Sequence, residues 1–182
     1  RVAFVPATAT TYETSNGKLK FTVYEAKAGV SGDVIYHLHG RNLDNTIWND
    51  DTYFTAQLQQ WWQQRSIKPP VVVEVSYGPV WLLTPKNSKE ASGLLDDFMS
   101  QLPEIEAKIQ KPGRRILLGE SMGGLNVLIA GLTHPTAFTG GAPAGRRSRT
   151  IDRRSFTTRS ARSGASACAT SESAIATPIA AG

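Results

Sequence analysis

The chain has one cysteine and three histidines among its 182 residues. A lone Cys168 has no intrachain partner, so a disulfide is excluded and the redox compartment stays open. His37, His39 and His134 are not spaced with cysteines or carboxylates as zinc ligands are, so no metal is expected. No phosphate-loop lysine motif follows an apolar run, and no cofactor is implied. No apolar run approaches the roughly eighteen residues of a membrane helix, so no membrane partner is expected. The chain begins at Arg1 without a signal-like segment. Leader removal, which would fit a secreted or periplasmic protein, and trimming both stay open, so the compartment is unassigned.

The last 42 residues lack the most. Residues 141–182 contain no Lys, Leu, Val, Trp, Tyr or Met. They hold seven arginines against Asp152 and Glu172, which accounts for the whole net charge of +5. Residues 1–140 are neutral in sum. This divides the chain into a core at 1–140 and an Arg/Ser/Ala-rich basic tail at 141–182. The tail has too little apolar surface to offset the entropy of ordering it. Three readings of it stay open: a disordered tail, translation out of the natural frame past residue 140, or an ordered segment of unrecognised logic.

Residues 1–140 alternate between strand and helix patterns. Asn16-Gly17 is a hairpin turn signal. After it Leu19, Phe21 and Val23 alternate with Lys18, Lys20 and Thr22, which predicts a half-buried strand. Val34-Ile35-Tyr36 and Val71-Val72-Val73-Glu74-Val75 read as buried strands. Phe54, Leu58, Trp61 and Trp62 predict one face of a helix. Leu94, Leu95, Phe98, Leu102, Ile105 and Ile109 predict a second, kinked or divided at Pro103. Asp96, Asp97, Glu104 and Glu106 are expected on its solvated faces. The alternation predicts an α/β fold with a mostly parallel sheet, helices on both faces and the first hairpin antiparallel at one edge.

Gly119-Glu120-Ser121-Met122-Gly123-Gly124 stands between the apolar run Ile116-Leu117-Leu118 and the helix-spaced Leu125, Leu128, Ile129 and Leu132. Strand, Gly-x-Ser-x-Gly, helix is the setting of a nucleophile elbow. Gly119 and Gly123 leave room for a turn too tight for side chains. The turn lifts the Ser121 hydroxyl clear at a helix N-terminus, which favours developing negative charge.

With Ser121 placed, the chain resembles the α/β-hydrolases of the esterase D and feruloyl-esterase-like group. The matching residues are His37-Leu38-His39-Gly40 with Trp48, the Val71–Val75 strand with Gly78 and Trp81, the elbow, and His134-Pro135 at the end of the elbow helix. The resemblance covers about residues 15–140 and implies the N-terminal part of such a fold, cut off after the elbow helix. It implies a small-molecule ester substrate and an acyl-enzyme on Ser121. It implies an oxyanion hole built from the Met122 N–H and the Arg41 N–H, with Gly40 shaping the loop. His37 and His39 are expected to satisfy local hydrogen bonds rather than move protons.

The base and acid of a triad cannot be named. In this fold they follow the serine, but the only later histidine, His134, lies thirteen residues on, about 20 Å along a helix. The strand carrying Ser121 is expected to become a free sheet edge, inviting self-association. An acyltransferase of the same fold is an alternative, separated by offering an acceptor alcohol. A non-catalytic module whose basic tail holds nucleic acid is another, disfavoured because only Phe156 interrupts the arginines with an aromatic.

Overall fold

The structure, a computed structural model, describes residues 4–77, 94–109 and 113–144. Gly78, Trp81 and residues 145–182, with Asp152, Cys168 and Glu172, lie outside the described residues. Six strands form one sheet: β1 (Ala7–Glu13), β2 (Lys20–Ala26), β3 (Val34–Leu38), β4 (Val71–Ser76), β5 (Arg115–Glu120) and β6 (Gly140–Ala144). Their order is β1-β2-β4-β3-β5-β6. β1 pairs antiparallel with β2, and β2 antiparallel with β4. The pairs β4/β3, β3/β5 and β5/β6 are parallel. The expected mostly parallel sheet with an antiparallel hairpin at one edge is observed. Gly17, at φ 68°, supplies the left-handed conformation of the hairpin loop.

Helices cover both faces, because buried strands with period two present a side chain to each. On one face Val34, Tyr36 and Leu38 meet α2 (Leu94–Glu106) and α3 (Met122–Thr133) through Leu95, Phe98, Leu102, Val127 and Ala130. On the other, Ile35, Val72 and Leu118 meet α1 (Phe54–Gln64) and the short turn Ile47–Asn49 through Trp62 and Trp48.

Five local expectations are corrected. β2 is buried on both faces, since Thr22 and Tyr24 are covered along with Phe21 and Val23. α1 packs through Phe54, Leu58 and Trp62 as expected and buries Thr55, Ala56 and Gln59 besides, but Trp61 is 46% exposed. Gln59 can be buried because its amide donates to the Trp48 carbonyl and its oxygen accepts from the Val5 N–H. α2 runs through Pro103 without dividing. Pro103 cannot donate to the Met99 carbonyl, yet the helix continues to Ile105, which is fully buried. α3 turns its small face inward: Gly123, Gly124, Val127, Ala130 and Gly131 are buried, while Leu125 and Leu132 are exposed.

The fifth correction concerns the sheet edge. β5 is internal, because β6 pairs with it from Ile116↔Gly140 to Glu120↔Ala144. The run Gly140-Gly141-Ala142-Pro143-Ala144 carries no β-branched residue, so composition hides it. Pro143 is tolerated because, among the described residues, the strand has a neighbour on one side only. The elbow strand therefore sits between β3 and β6.

Asp97, Glu104 and Glu106 of α2 lie at the surface and are engaged there. Asp97 pairs with Lys18 at 2.8 Å, and Glu104 accepts from the Ser15 N–H and hydroxyl. Glu106 is held in a fork by Arg115 at 2.6 and 2.8 Å and accepts from the Tyr36 hydroxyl. The Arg115 bonds, ahead of the opposing effect of burial, hold the Glu106 carboxyl below its usual value. A depressed folded value contributes stability above the unfolded pKa, and that stability is lost as pH falls through the folded value. Glu106→Gln is therefore expected to destabilise at pH 7 and to lose its difference from the wild type as pH drops below about 4. Thermal melts across that range check the sign. A difference that widens on acidification would oppose it.

Candidate active site

β5 ends at Glu120, Ser121 forms the turn, and α3 begins at Met122. Ser121 stands at φ 55°, ψ −116°, outside the conformations a serine ordinarily adopts. Such a backbone costs roughly 1–3 kcal/mol and persists only where the surroundings enforce it. The surroundings are two glycines. A Cβ on Gly119 would lie 2.4 Å from the Gly123 carbonyl oxygen, and one on Gly123 would lie 1.7 Å from that of Leu38. The first turn of α3 thus rests directly on the end of β3.

A serine at a helix N-cap normally spends its hydroxyl on the helix's own N–H groups. Ser121 makes no such bond and is exposed. Its hydroxyl stands at the start of α3, where the first N–H groups have no intrahelical acceptor. Met122 carries the first of these.

The loop after β3 closes the other side. A Cβ on Gly40 would meet the Tyr53 hydroxyl at 3.1 Å and the Glu120 carbonyl oxygen at 3.4 Å, so the loop lies against the elbow. Asn42 at φ 60° gives the turn beyond Arg41 a left-handed residue, a conformation asparagine tolerates. Burial, then the nearby Glu120 charge, push the Tyr53 pKa upward. The structure thus brings Gly40, Arg41, Glu120, Ser121 and Met122 to one corner of the sheet.

His39 donates from Nδ1 to the Gly40 carbonyl at 2.7 Å. A carbonyl only accepts, so Nδ1 holds the proton and Nε2 is left with its lone pair. Burial lowers the His39 pKa, which favours this neutral ring. Nε2 has no hydrogen-bond partner among the described residues, so His39 is not bonded to Ser121. His134 caps the opposite end of α3. No partner that could activate Ser121 as base or acid is found among the described residues.

His37 and Glu74 form a buried pair that sequence reasoning passed over. They are register partners on β3 and β4, both fully buried, with His37 Nδ1 2.5 Å from Glu74 Oε2. Trp48, Tyr53 and Phe54 surround the imidazole. Burial raises the Glu74 pKa, partly offset by His37. The signal was a lone glutamate inside a run of valines; pairing it with His37 requires the strand order. Among the described residues no His/Cys/Asp/Glu group could hold a metal ion, and no helix is long and apolar enough to cross a membrane.

The Esterase family model matches residues 13–144. Comparison with curated proteins returns no match. Among solved structures, a ferulic acid esterase from the fungus Anaeromyces mucronatus superposes with a TM-score of 0.57 at 17% identity, covering 78% of this chain and 61% of that one. A fluorophosphonate-binding serine hydrolase of Staphylococcus aureus gives 0.51 at 14% identity, covering 75% and 56%. A feruloyl esterase module from Clostridium thermocellum gives 0.50 at 18% identity, covering 72% and 50%. At these identities the likeness is one of fold. The chain spans between half and about three-fifths of the length of these structures.

Proposed function

The chain belongs to the Esterase family, and from that premise we propose that it carries the nucleophile and oxyanion hole of a serine carboxylic-ester hydrolase. The reading rests on one observation above the others: a serine held at φ 55° at a strand–helix junction, exposed and not spent on capping.

Ser121 Oγ attacks the ester carbonyl carbon. The carbonyl π pair moves onto oxygen, and the oxyanion accepts from the Met122 and Arg41 N–H groups. Collapse of the tetrahedral intermediate expels the alkoxide, which takes up the proton given up by the Ser121 hydroxyl and leaves as the alcohol, with the acyl group on Ser121. Water then attacks the acyl-enzyme and releases the acid. Fixed backbone donors suit this chemistry because they need no reorganisation as charge develops, and losing one typically slows the reaction about 10²–10³-fold. Gly40 shapes the loop that presents Arg41, and Gly119 and Gly123 make the turn.

The similar folds include ferulic acid esterases, so methyl ferulate is the substrate to try beside p-nitrophenyl acetate. The test is acylation. On mixing with p-nitrophenyl acetate, the folded chain is expected to release up to one equivalent of p-nitrophenol and retain one acetyl group on Ser121. Ser121→Ala is expected to release none above background. Equal release by both proteins would sink the reading.

A further inference from the structure

We infer that Tyr77 and Asn126 are positioning residues that clamp the oxyanion loop to the elbow helix. The inference rests on the reading of Ser121 and the loop at Gly40–Arg41 given above. Tyr77 follows the end of β4 and Asn126 lies on α3, five residues after Ser121; both are buried. Asn126 Nδ2 donates to the Tyr77 hydroxyl at 2.7 Å. The Tyr77 hydroxyl donates to the His39 carbonyl at 2.8 Å. The direction of the chain is forced. A carbonyl only accepts, so the single phenol proton goes to His39, and the phenol oxygen must accept from the amide. The Tyr77 ring also stacks on the His39 imidazole, with centroids 4.4 Å apart and planes 10° apart.

The two ends of this chain are the two elements proposed to carry the oxyanion donors. Asn126 belongs to the helix that begins with Met122. His39 is the residue before Gly40, and its carbonyl is one side of the peptide that sets the course of the loop toward Arg41. Backbone contact alone fixes how close these elements come, through Gly123 against Leu38 and His39. Neither contact is a hydrogen bond to the His39–Gly40 peptide. The tyrosine proton holds that peptide, and the asparagine holds the tyrosine. An oxyanion hole works only while its donors keep their aim, so the clamp acts on the transition state more than on ester binding.

The test uses Tyr77→Phe in the full chain. It removes the proton and keeps the ring on His39. Two readouts are taken on folded protein: amide hydrogen exchange across residues 39–42, and the rate at which a fluorophosphonate labels Ser121. Exchange is expected to rise about tenfold or more at Gly40–Asn42 while β3 and β4 are unchanged. Labelling is expected to slow about tenfold or more. Asn126→Leu serves if the phenylalanine variant fails to fold, and the double variant is expected to match Tyr77→Phe alone because the two residues act in series. Unchanged exchange at residues 39–42 overturns the clamp. Faster exchange with labelling equal to the wild type overturns its role in positioning. A wild type that never labels overturns the Ser121 reading instead, and exchange still decides the clamp.

Discussion

Gly123→Ala is expected to destroy the elbow. The added methyl would sit 1.7 Å from the Leu38 carbonyl oxygen and 2.8 Å from that of His39. Both neighbours are backbone, on β3 and the loop after it, so no side chain can swing aside. Overpacking a well-filled site typically costs about 1–3 kcal/mol, and more where only backbone can yield. Here either α3 moves off the sheet by more than an ångström or β3 leaves its register with β4 and β5. The expected loss is about 3 kcal/mol or more, with Ser121 unlabelled in whatever folds. Gly119→Ala meets the same restriction from the other side, at 2.4 Å from the Gly123 carbonyl oxygen. Ser121→Ala is the control, since it keeps the turn and removes only the hydroxyl. Chemical denaturation of the three variants separates these effects: both glycine variants should fall far below Ser121→Ala. A Gly123→Ala protein as stable as Ser121→Ala would mean that α3 does not rest on β3 as described.

The second large effect concerns His37 and Glu74. Both side chains are fully buried, and Glu74 Oε1 has no partner among the described residues to spare. Removing one member of such a pair leaves the other uncompensated, which costs about 3–5 kcal/mol. His37→Ala is expected to do this. Replacing both by apolar residues, as in His37→Leu with Glu74→Leu, is expected to recover most of the loss, because the desolvation penalty disappears with the attraction. The pH dependence carries a definite sign. Burial raises the folded pKa of Glu74 above its usual value, and without His37 nothing offsets that. A carboxyl with a raised folded pKa is penalised at high pH and relieved as pH falls. The deficit of His37→Ala should therefore shrink as pH falls toward the ordinary carboxylate range. A deficit independent of pH would point to lost packing against Trp48 and Phe54 instead.

The framework was legible because its signals are local. A strand, a glycine-flanked serine and a helical pattern stand side by side in residues 116–132, and the structure has β5, the turn and α3 there. The alternation of buried strands and helices likewise forecast a parallel sheet covered on both faces. The misreadings share a physical cause. The leucines of α3 suggest a core face, whereas the helix approaches the sheet closely through Gly123, Gly124, Ala130 and Gly131, with Asn126 and Val127 buried beside them. β6 is strand by pairing with β5, and Gly-Gly-Ala-Pro-Ala has no intrinsic strand preference to betray it. His37 with Glu74, and Tyr77 with Asn126, meet across separations of 37 and 49 residues. Strand register creates the first pair and the packing of α3 beside the end of β4 the second, and no local pattern announces either.

The central claim is that Ser121 is a nucleophile set by the elbow, and peptide mapping after fluorophosphonate treatment tests it most directly. The chain is exposed to the probe, digested, and each serine-containing peptide is weighed. The account predicts added mass on the peptide containing Ser121, ahead of every other serine, and none anywhere after Ser121→Ala. Label spread over exposed serines such as Ser15 and Ser66, or none on Ser121 in protein shown to be folded, would contradict it.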